Sequence, residues 1–194
     1  MKIIEIPPAR LDEYARVSIG FWVNRELRVE PVNGGLGGLR LVETRVEQSY
    51  FNDYDAIGPE VGPIFWPRQF DVSRWAFFLA YEDDRLLGGA AVSWNTAGVN
   101  RLAGRSDLAV LWDIRVQPDA RGLGTGAALF QWAEAWARNS GCWQMKIETQ
   151  NINVDACRFY ARMGCTLGEI DCYAYAAVQG CENEVMLCWY KDLM

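Results

Sequence analysis

Apolar and polar positions repeat along this chain with two different periods, which together predict a mixed α/β fold. Apolar residues recur at helical spacing in residues 9–27, 122–139 and 153–163. Runs rich in β-branched and aromatic residues, bounded by turn-forming residues, predict strands at 2–6, 39–46, 75–81, 86–94, 108–116, 142–149, 166–176 and 184–190. Residues 29–73 show little other periodicity, which is typical of a functional loop or lid.

The order of these segments predicts the topology of the sheet. The first two strands after residue 74 are separated by a short polar turn at 82–85 and fit an antiparallel meander. The helix over 122–139 joins two later strands, which predicts a right-handed parallel crossover between them. We therefore expect a mostly antiparallel sheet with one parallel crossover, flanked by helices. No linker or repeat divides the sequence, so residues 1–194 are expected to form a single domain.

Composition and charge narrow the classes of partner. Hydrophobic residues make up 51% of the sequence, which is enough to build a core without crosslinks or metal. The formal net charge is −6, whereas a nucleic-acid-binding protein normally carries a basic surface. We expect no nucleic-acid partner, and the acidic balance suits a cationic small molecule.

The cysteines and the N-terminal residues allow predictions about metal binding and cellular location. Six cysteines occur in the last third without a C-x-x-C pair, and the sequence contains no histidine. We therefore expect free thiols and no metal. The N-terminal apolar run is short, and no uninterrupted apolar segment reaches membrane length, so we expect a cytoplasmic protein with no membrane partner.

A glycine-rich turn at residues 121–126 lies between a predicted strand and a long predicted helix. Backbone N–H groups and the positive end of the helix dipole face such a turn, which makes it an anion site. Glycines let the backbone approach a diphosphate closely, and Arg121 adds a positive charge at the rim.

This turn has three other interpretations. Glycines at such a turn also occur for tight packing alone. A Walker loop is excluded because it requires a lysine that this turn lacks. A dinucleotide fingerprint fits Gly122, Gly124 and Ala127, with Glu148 near the position of the ribose-binding acid. Residues 117–121, however, separate the glycines from the strand, which argues against it.

Two motifs carry a resemblance to a known family. Residues 113–126 resemble the acetyl-CoA motif of the GNAT N-acetyltransferase superfamily. Residues 153–164 resemble the second signature of the same family, although Cys165 follows where Phe is usual. With the strands around them these motifs cover residues 75–190. The resemblance implies a GNAT-type acyl-CoA N-acyltransferase fold with acetyl-CoA as cosubstrate.

The resemblance also implies which residues bind the cosubstrate. The backbone of one strand would pair with the pantetheine amides, through Ile114, Arg115 and Val116. The glycine-rich turn would hold the pyrophosphate, through Arg121, Gly122, Leu123, Gly124, Thr125 and Gly126. The second motif would line the thioester end, through Asn153, Ala156 and Tyr160.

Three residues are candidates for the chemistry. By resemblance Tyr160 is the acid that protonates the CoA thiolate; packing beside Phe159 is its structural alternative. Asp113 lies in an apolar run, where an unpaired carboxylate is costly to bury, so it requires a cation or a cleft. An ion pair with Arg115, two residues on and on the same strand face, is equally compatible. With Glu148, Asp113 would hold an ammonium group and accept its proton through water.

A finer resemblance suggests an acceptor. Residues 50–55, 70–79 and 148–153 are similar to the streptothricin acetyltransferase branch of the superfamily. The expected function is therefore transfer of an acetyl group from acetyl-CoA to a primary amine of a small cationic acceptor, such as a streptothricin-like antibiotic. Acetylation of a protein or peptide, and a non-catalytic acyl-CoA-binding module, remain the alternatives. Pairing through late strands, as in many relatives, would give a homodimer.

Overall fold

The structure is a computed structural model that describes residues 1–193. Within these residues the strands are β1 (Lys2–Ile6), β2 (Phe21–Pro31), β3 (Leu39–Asn52), β4 (Trp75–Glu82), β5 (Arg85–Trp94), β6 (Leu108–Val116), β7 (Gln144–Gln150), β8 (Thr166–Asp171) and β9 (Met186–Asp192). The α-helices are α1 (Leu11–Tyr14), α2 (Trp66–Gln69), α3 (Thr125–Asn139) and α4 (Val154–Arg162). The chain groups into two compact units, the first containing residues 1–19, 54–147 and 190–193 and the second residues 20–53 and 148–189.

The first unit is built on a sheet with the strand order β1-β4-β5-β6-β7. The pairs β1/β4, β4/β5 and β5/β6 are antiparallel. The pair β6/β7 is parallel and is connected by α3. These pairings confirm the predicted mixed fold, a mostly antiparallel sheet with one parallel crossover.

Both faces of this sheet are covered. On one face α3 packs against β4, β5 and β6 with an apolar stripe that includes Leu129, Phe130 and Ala133. On the other face α1 and the segment 54–74 contribute to a cluster of buried side chains: Leu11, Tyr14, Trp66, Trp75, Phe77, Leu79, Ala91 and Val110. Burial of large aromatic and aliphatic groups on this face fixes the segment 54–74 against the sheet.

The second unit contains a long β2/β3 hairpin, helix α4 and strand β8, together with the end of β7 and the start of β9. Buried Asn151 links two segments of this unit. Its amide nitrogen Nδ2 donates to the Leu27 carbonyl at 3.2 Å, and its Oδ1 accepts from the Val185 N–H at 2.8 Å. Arg158 of α4 pairs with Glu43 of the hairpin at 2.6 Å.

The predicted helix over residues 9–27 is wrong. Only Leu11–Tyr14 is α-helical, and Phe21–Pro31 forms strand β2. A bulge between Val23 and Arg25 shifts the register with β3, which breaks the period-two alternation expected of a strand. The apolar residues on either side of residue 20 therefore have the spacing of one helical face, although they belong to two different elements.

The other predicted elements are present with shifted ends. The strand over 39–46 continues to Asn52, so part of the predicted irregular stretch is ordered. The strand over 166–176 ends at Asp171, and the helix predicted to begin at residue 122 begins at Thr125. All six cysteines are thiols, as predicted, and five are buried. No helix in residues 1–193 is both long enough and apolar enough to cross a membrane. The single-domain organisation stays a prediction.

Candidate functional site

The turn between β6 and α3 presents an open, uncapped helix N-terminus. Gly122 and Gly124 have φ values of 78° and 93°, in the left-handed region that favours glycine. A Cβ placed on either would meet no atom within 4 Å, so there is room beside the backbone. Gly124 is the N-cap of α3 and makes no side-chain cap hydrogen bond. The N–H groups of the first turn therefore fit an anion such as a diphosphate.

The flanks of this turn are fixed by β6 and by α3. The Arg121 Nε donates to the Val116 carbonyl at 3.0 Å, which holds the guanidinium beside the end of the strand. Thr125 is buried at the start of α3, whereas Leu123 is 78% exposed. Gly126 lies in the first turn of α3. All six predicted pyrophosphate-binding residues are thus contiguous around one helix end.

The two edges of strand β6 differ in how far they pair with neighbouring strands. Along one edge Val116 to Asp113 pair with β5, and a bulge at Trp112 follows before the register resumes at Leu111. Along the other edge, within the described residues, the parallel register with β7 ends at Leu111. The backbone of Ile114, Arg115 and Val116 on that edge is not used by β7. This arrangement fits the predicted pairing with pantetheine amides.

The side chain of Arg115 is the centre of a buried cluster. Its Nε and Nη2 donate to the two oxygens of Asp113 at 2.9 Å and 2.6 Å. Its Nη1 donates to Asp55 Oδ2 at 2.7 Å and to the Val17 carbonyl at 3.1 Å. Tyr14 completes the cluster because its hydroxyl donates to Asp113 Oδ1 at 2.6 Å.

This environment shifts the pKa of two members of the cluster. Burial alone would lower the pKa of Arg115, but the charge of Asp113 and the hydrogen bonds to both carboxylates raise it above its usual value. Burial and the charge of Asp113 raise the pKa of Tyr14 well above 10. Arg115 is therefore charged and Tyr14 neutral at physiological pH.

The ion pair that the sequence offered as the alternative for Asp113 is present. Both oxygens of Asp113 are hydrogen-bonded within the cluster, and its side chain is only 7% exposed. Direct contact between Asp113 and an amine stays a prediction. Tyr14 and Asp55 were not identified from the sequence as members of a polar cluster. Their contacts span 99 and 60 residues, and no local pattern marks such a distance.

The remaining candidates belong to the second unit. Glu148 Oε1 accepts from the Tyr175 hydroxyl at 2.7 Å. Tyr160 is 5% exposed, and its ring meets Phe159 edge-on at 5.4 Å between centroids. The Asn153 side chain accepts from the Ala156 N–H at 3.1 Å and so caps α4. The roles of these residues at the thioester, and the proximity of Glu148 to Asp113, stay predictions.

Comparison with known proteins decides the family. A model of the acetyltransferase (GNAT) family matches residues 42–165, which is more than half of the chain. The chain belongs to this family. As a GNAT protein it is an N-acetyltransferase, and the glycine-rich turn and strand β6 lie inside the matched region.

Individual GNAT proteins resemble this chain along most of its length. Streptothricin acetyltransferase A of Bacillus subtilis is 29% identical over 148 residues, 76% of each chain. The crystal structure of nourseothricin acetyltransferase is similar with a TM-score of 0.76 and 25% identity, covering 100% of this chain and 98% of that one. A candidate streptothricin acetyltransferase of Bacillus anthracis str. Ames, solved with acetyl coenzyme A, shares the fold with a TM-score of 0.75 and 24% identity over 98% of both chains.

Proposed function

We propose that this GNAT enzyme transfers the acetyl group of acetyl-CoA to a primary amine of a small cationic acceptor of the streptothricin type. The observation that supports acetyl-CoA as the donor is the N-terminus of α3. It has no side-chain cap and follows two glycines in the left-handed backbone region. The choice of a cationic acceptor is supported by the streptothricin acetyltransferases that this chain resembles and by its net charge of −6.

On the donor side, bound acetyl-CoA would supply an activated thioester carbonyl. The N–H groups from Arg121 to Gly126 would bind its diphosphate, and the edge of Ile114–Val116 with which β7 does not pair would bind its pantetheine arm. The strand edge and the turn are separated by the short segment 117–120. Two rigid elements would therefore hold the cosubstrate at two neighbouring groups, its pantetheine arm and its diphosphate, which lowers the entropic cost of reaction.

On the acceptor side, the chemistry requires a neutral amine nitrogen and a proton for the departing thiolate. We assign the donation of that proton to the Tyr160 hydroxyl. Glu148 would accept the proton of the incoming ammonium group through water. Asp113 would contribute negative charge on the acceptor side as a member of the Arg115 cluster.

The test is release of CoA from acetyl-CoA by the purified protein under three conditions: no acceptor, streptothricin, and a panel of short peptides with a free N-terminus or lysine. We expect release with streptothricin to exceed release without acceptor by at least about 100-fold, with monoacetylated streptothricin as product. Turnover of peptides but not of streptothricin would identify a peptide acetyltransferase. Binding of acetyl-CoA without turnover of any acceptor would identify a binding module.

A further inference from the structure

Strand β7 ends with two polar side chains on one face, Glu148 and Gln150. Thr149, which lies between them, is 4% exposed, whereas Glu148 and Gln150 are only partly buried. Successive side chains of a strand point to opposite faces, so residues 148 and 150 share the face opposite Thr149. Because Glu148 is the proton acceptor of the proposed function, the contacts made on this face bear on the chemistry.

The hydroxyl of Tyr175 joins these two side chains. It donates to Glu148 Oε1 at 2.7 Å and accepts from Gln150 Nε2 at 3.0 Å. A phenol has a single proton to donate, and an amide nitrogen cannot accept it. The contact with Gln150 therefore directs the Tyr175 proton to the carboxylate.

Tyr175 reaches this face from a segment that otherwise lies on the surface. Residues 172–174 and 176–180 are exposed, whereas Tyr175 between them is partly buried. The Val178 N–H donates to the Tyr175 carbonyl at 2.8 Å, which holds the backbone of Tyr175 in a turn. The hydroxyl is thus presented to Glu148 by a constrained backbone as well as by Gln150.

A fixed carboxylate suits a group that must accept a proton. A glutamate side chain samples several rotamers in water, and holding it in one of them in advance lowers the entropy lost in the reaction. An ionised carboxylate offers about four acceptor positions on its two oxygens, and Tyr175 uses one of them. The contact therefore orients the Glu148 carboxylate and is compatible with a water molecule at another position.

We propose that Tyr175 is a positioning residue for Glu148: its hydroxyl, directed by Gln150, holds the carboxylate in the orientation that accepts the proton of the incoming ammonium group. This inference rests on the proposed function, in which Glu148 is the proton acceptor. The proton moves from the ammonium nitrogen to water and from water to a Glu148 oxygen. Tyr175 keeps its own proton and acts through Glu148.

The test measures kcat and both KM values with streptothricin as acceptor. Tyr175→Phe removes the hydroxyl and keeps the ring, so we expect kcat to fall about tenfold while the KM for acetyl-CoA and the KM for streptothricin stay within about twofold. Gln150→Leu should lower kcat about threefold, because the phenol then loses the contact that directs its proton. Tyr173→Phe, at an 83% exposed side chain of the same segment, is the matched control and should retain the wild-type kcat.

Double-mutant cycles test whether Tyr175 acts through Glu148. In the Glu148→Gln background the carboxylate is absent, so adding Tyr175→Phe should change kcat by less than about twofold. Adding Gln150→Leu to Tyr175→Phe should likewise cause no further loss, because the hydroxyl on which Gln150 acts is already absent.

The outcomes separate this inference from the proposed function. If wild type acetylates streptothricin but Tyr175→Phe keeps the wild-type kcat, or lowers kcat equally in the Glu148→Gln background, the role of Tyr175 is refuted and the proposed function stands. If Tyr175→Phe raises either KM more than it lowers kcat, the hydroxyl only anchors the surface segment, and its positioning role is refuted. A wild-type kcat in Glu148→Gln would refute the roles of both residues and leave the acetyl transfer standing. If wild type does not acetylate streptothricin, this inference and the proposed function are both refuted.

Discussion

Tyr14 shows how a single hydroxyl supports a buried charge. The side chain is fully buried, and its hydroxyl is one of the donors that satisfy the Asp113 carboxylate. We expect Tyr14→Phe to lower the free energy of unfolding by about 2 kcal/mol, because a hydrogen bond to a buried charge is lost. Urea unfolding measures this. Tyr81→Phe is the matched control: the Tyr81 hydroxyl donates to the more exposed Glu13, so its loss should be smaller. Equal losses would contradict a special role for Tyr14.

Tyr160 is the residue on which the proposed chemistry depends most. If its hydroxyl protonates the departing thiolate, Tyr160→Phe should lower kcat about 100-fold and leave the KM for acetyl-CoA within about twofold. Steady-state CoA release measures both constants. Tyr173→Phe, at a side chain that is 83% exposed, is the control and should retain the wild-type kcat. A wild-type kcat in Tyr160→Phe would assign the proton to another group.

A sequence can predict a contact of the Arg115 cluster only when the two residues lie close together along the chain. Asp113 and Arg115 are two positions apart in a strand, so their shared face, and with it the ion pair, follows from strand geometry. Asp55 and Tyr14 join the same cluster from segments that only the folded chain brings together. No local pattern encodes such contacts.

At the scale of elements, the turn before α3 provides a direct test of the anion site. Gly124 has a φ of 93°, so Gly124→Ala introduces backbone strain of about 1–2 kcal/mol and places a methyl group beside the first-turn N–H groups. We expect acetyl-CoA binding, measured by calorimetry, to weaken at least about tenfold.

The matched control lies at the other end of the same helix. Gly141 has a φ of 85°, and a Cβ there would also meet no atom within 4 Å, so Gly141→Ala imposes a similar strain. It should lower stability by a similar amount and leave acetyl-CoA binding unchanged. Equal weakening of binding in both variants would attribute the effect to strain alone.

The elements that were predicted correctly share strong local signals. Strands β4 and β5 are nearly continuous apolar runs, and α4 begins at a capping asparagine and ends before Gly164. The segment 9–27 lacks such signals, and the bulge in β2 removes the alternation that would have marked a strand. Strand β2 pairs with β3 as an antiparallel hairpin across residues 32–38, and this pairing overrides the local preference.

For the whole molecule, buried thiols predict a loss of stability at alkaline pH. Burial raises the pKa of Cys157 from 9.0 to about 12, so above pH 9 the unfolded chain loses this proton while the folded chain keeps it. The unfolded state is then favoured, and stability should fall by about 1 kcal/mol per pH unit from this thiol. Urea unfolding between about pH 8 and about pH 10.5 should show the decline.

Two variants test the origin of that decline. Cys157→Ala should reduce the slope, and Cys172→Ala, at an exposed position, should keep the wild-type slope. A slope that is the same in wild type and Cys157→Ala would exclude this thiol as a source of the pH dependence.

The proposed function depends on main-chain donors at the start of α3 that bind the diphosphate of acetyl-CoA. The most direct measurement is a calorimetric titration of the wild-type protein with acetyl-CoA and, separately, with S-acetylpantetheine, which lacks the diphosphate and the nucleotide. We expect acetyl-CoA to bind at least about 100-fold more tightly. Equal affinities for the two compounds, or no binding of acetyl-CoA, would contradict it.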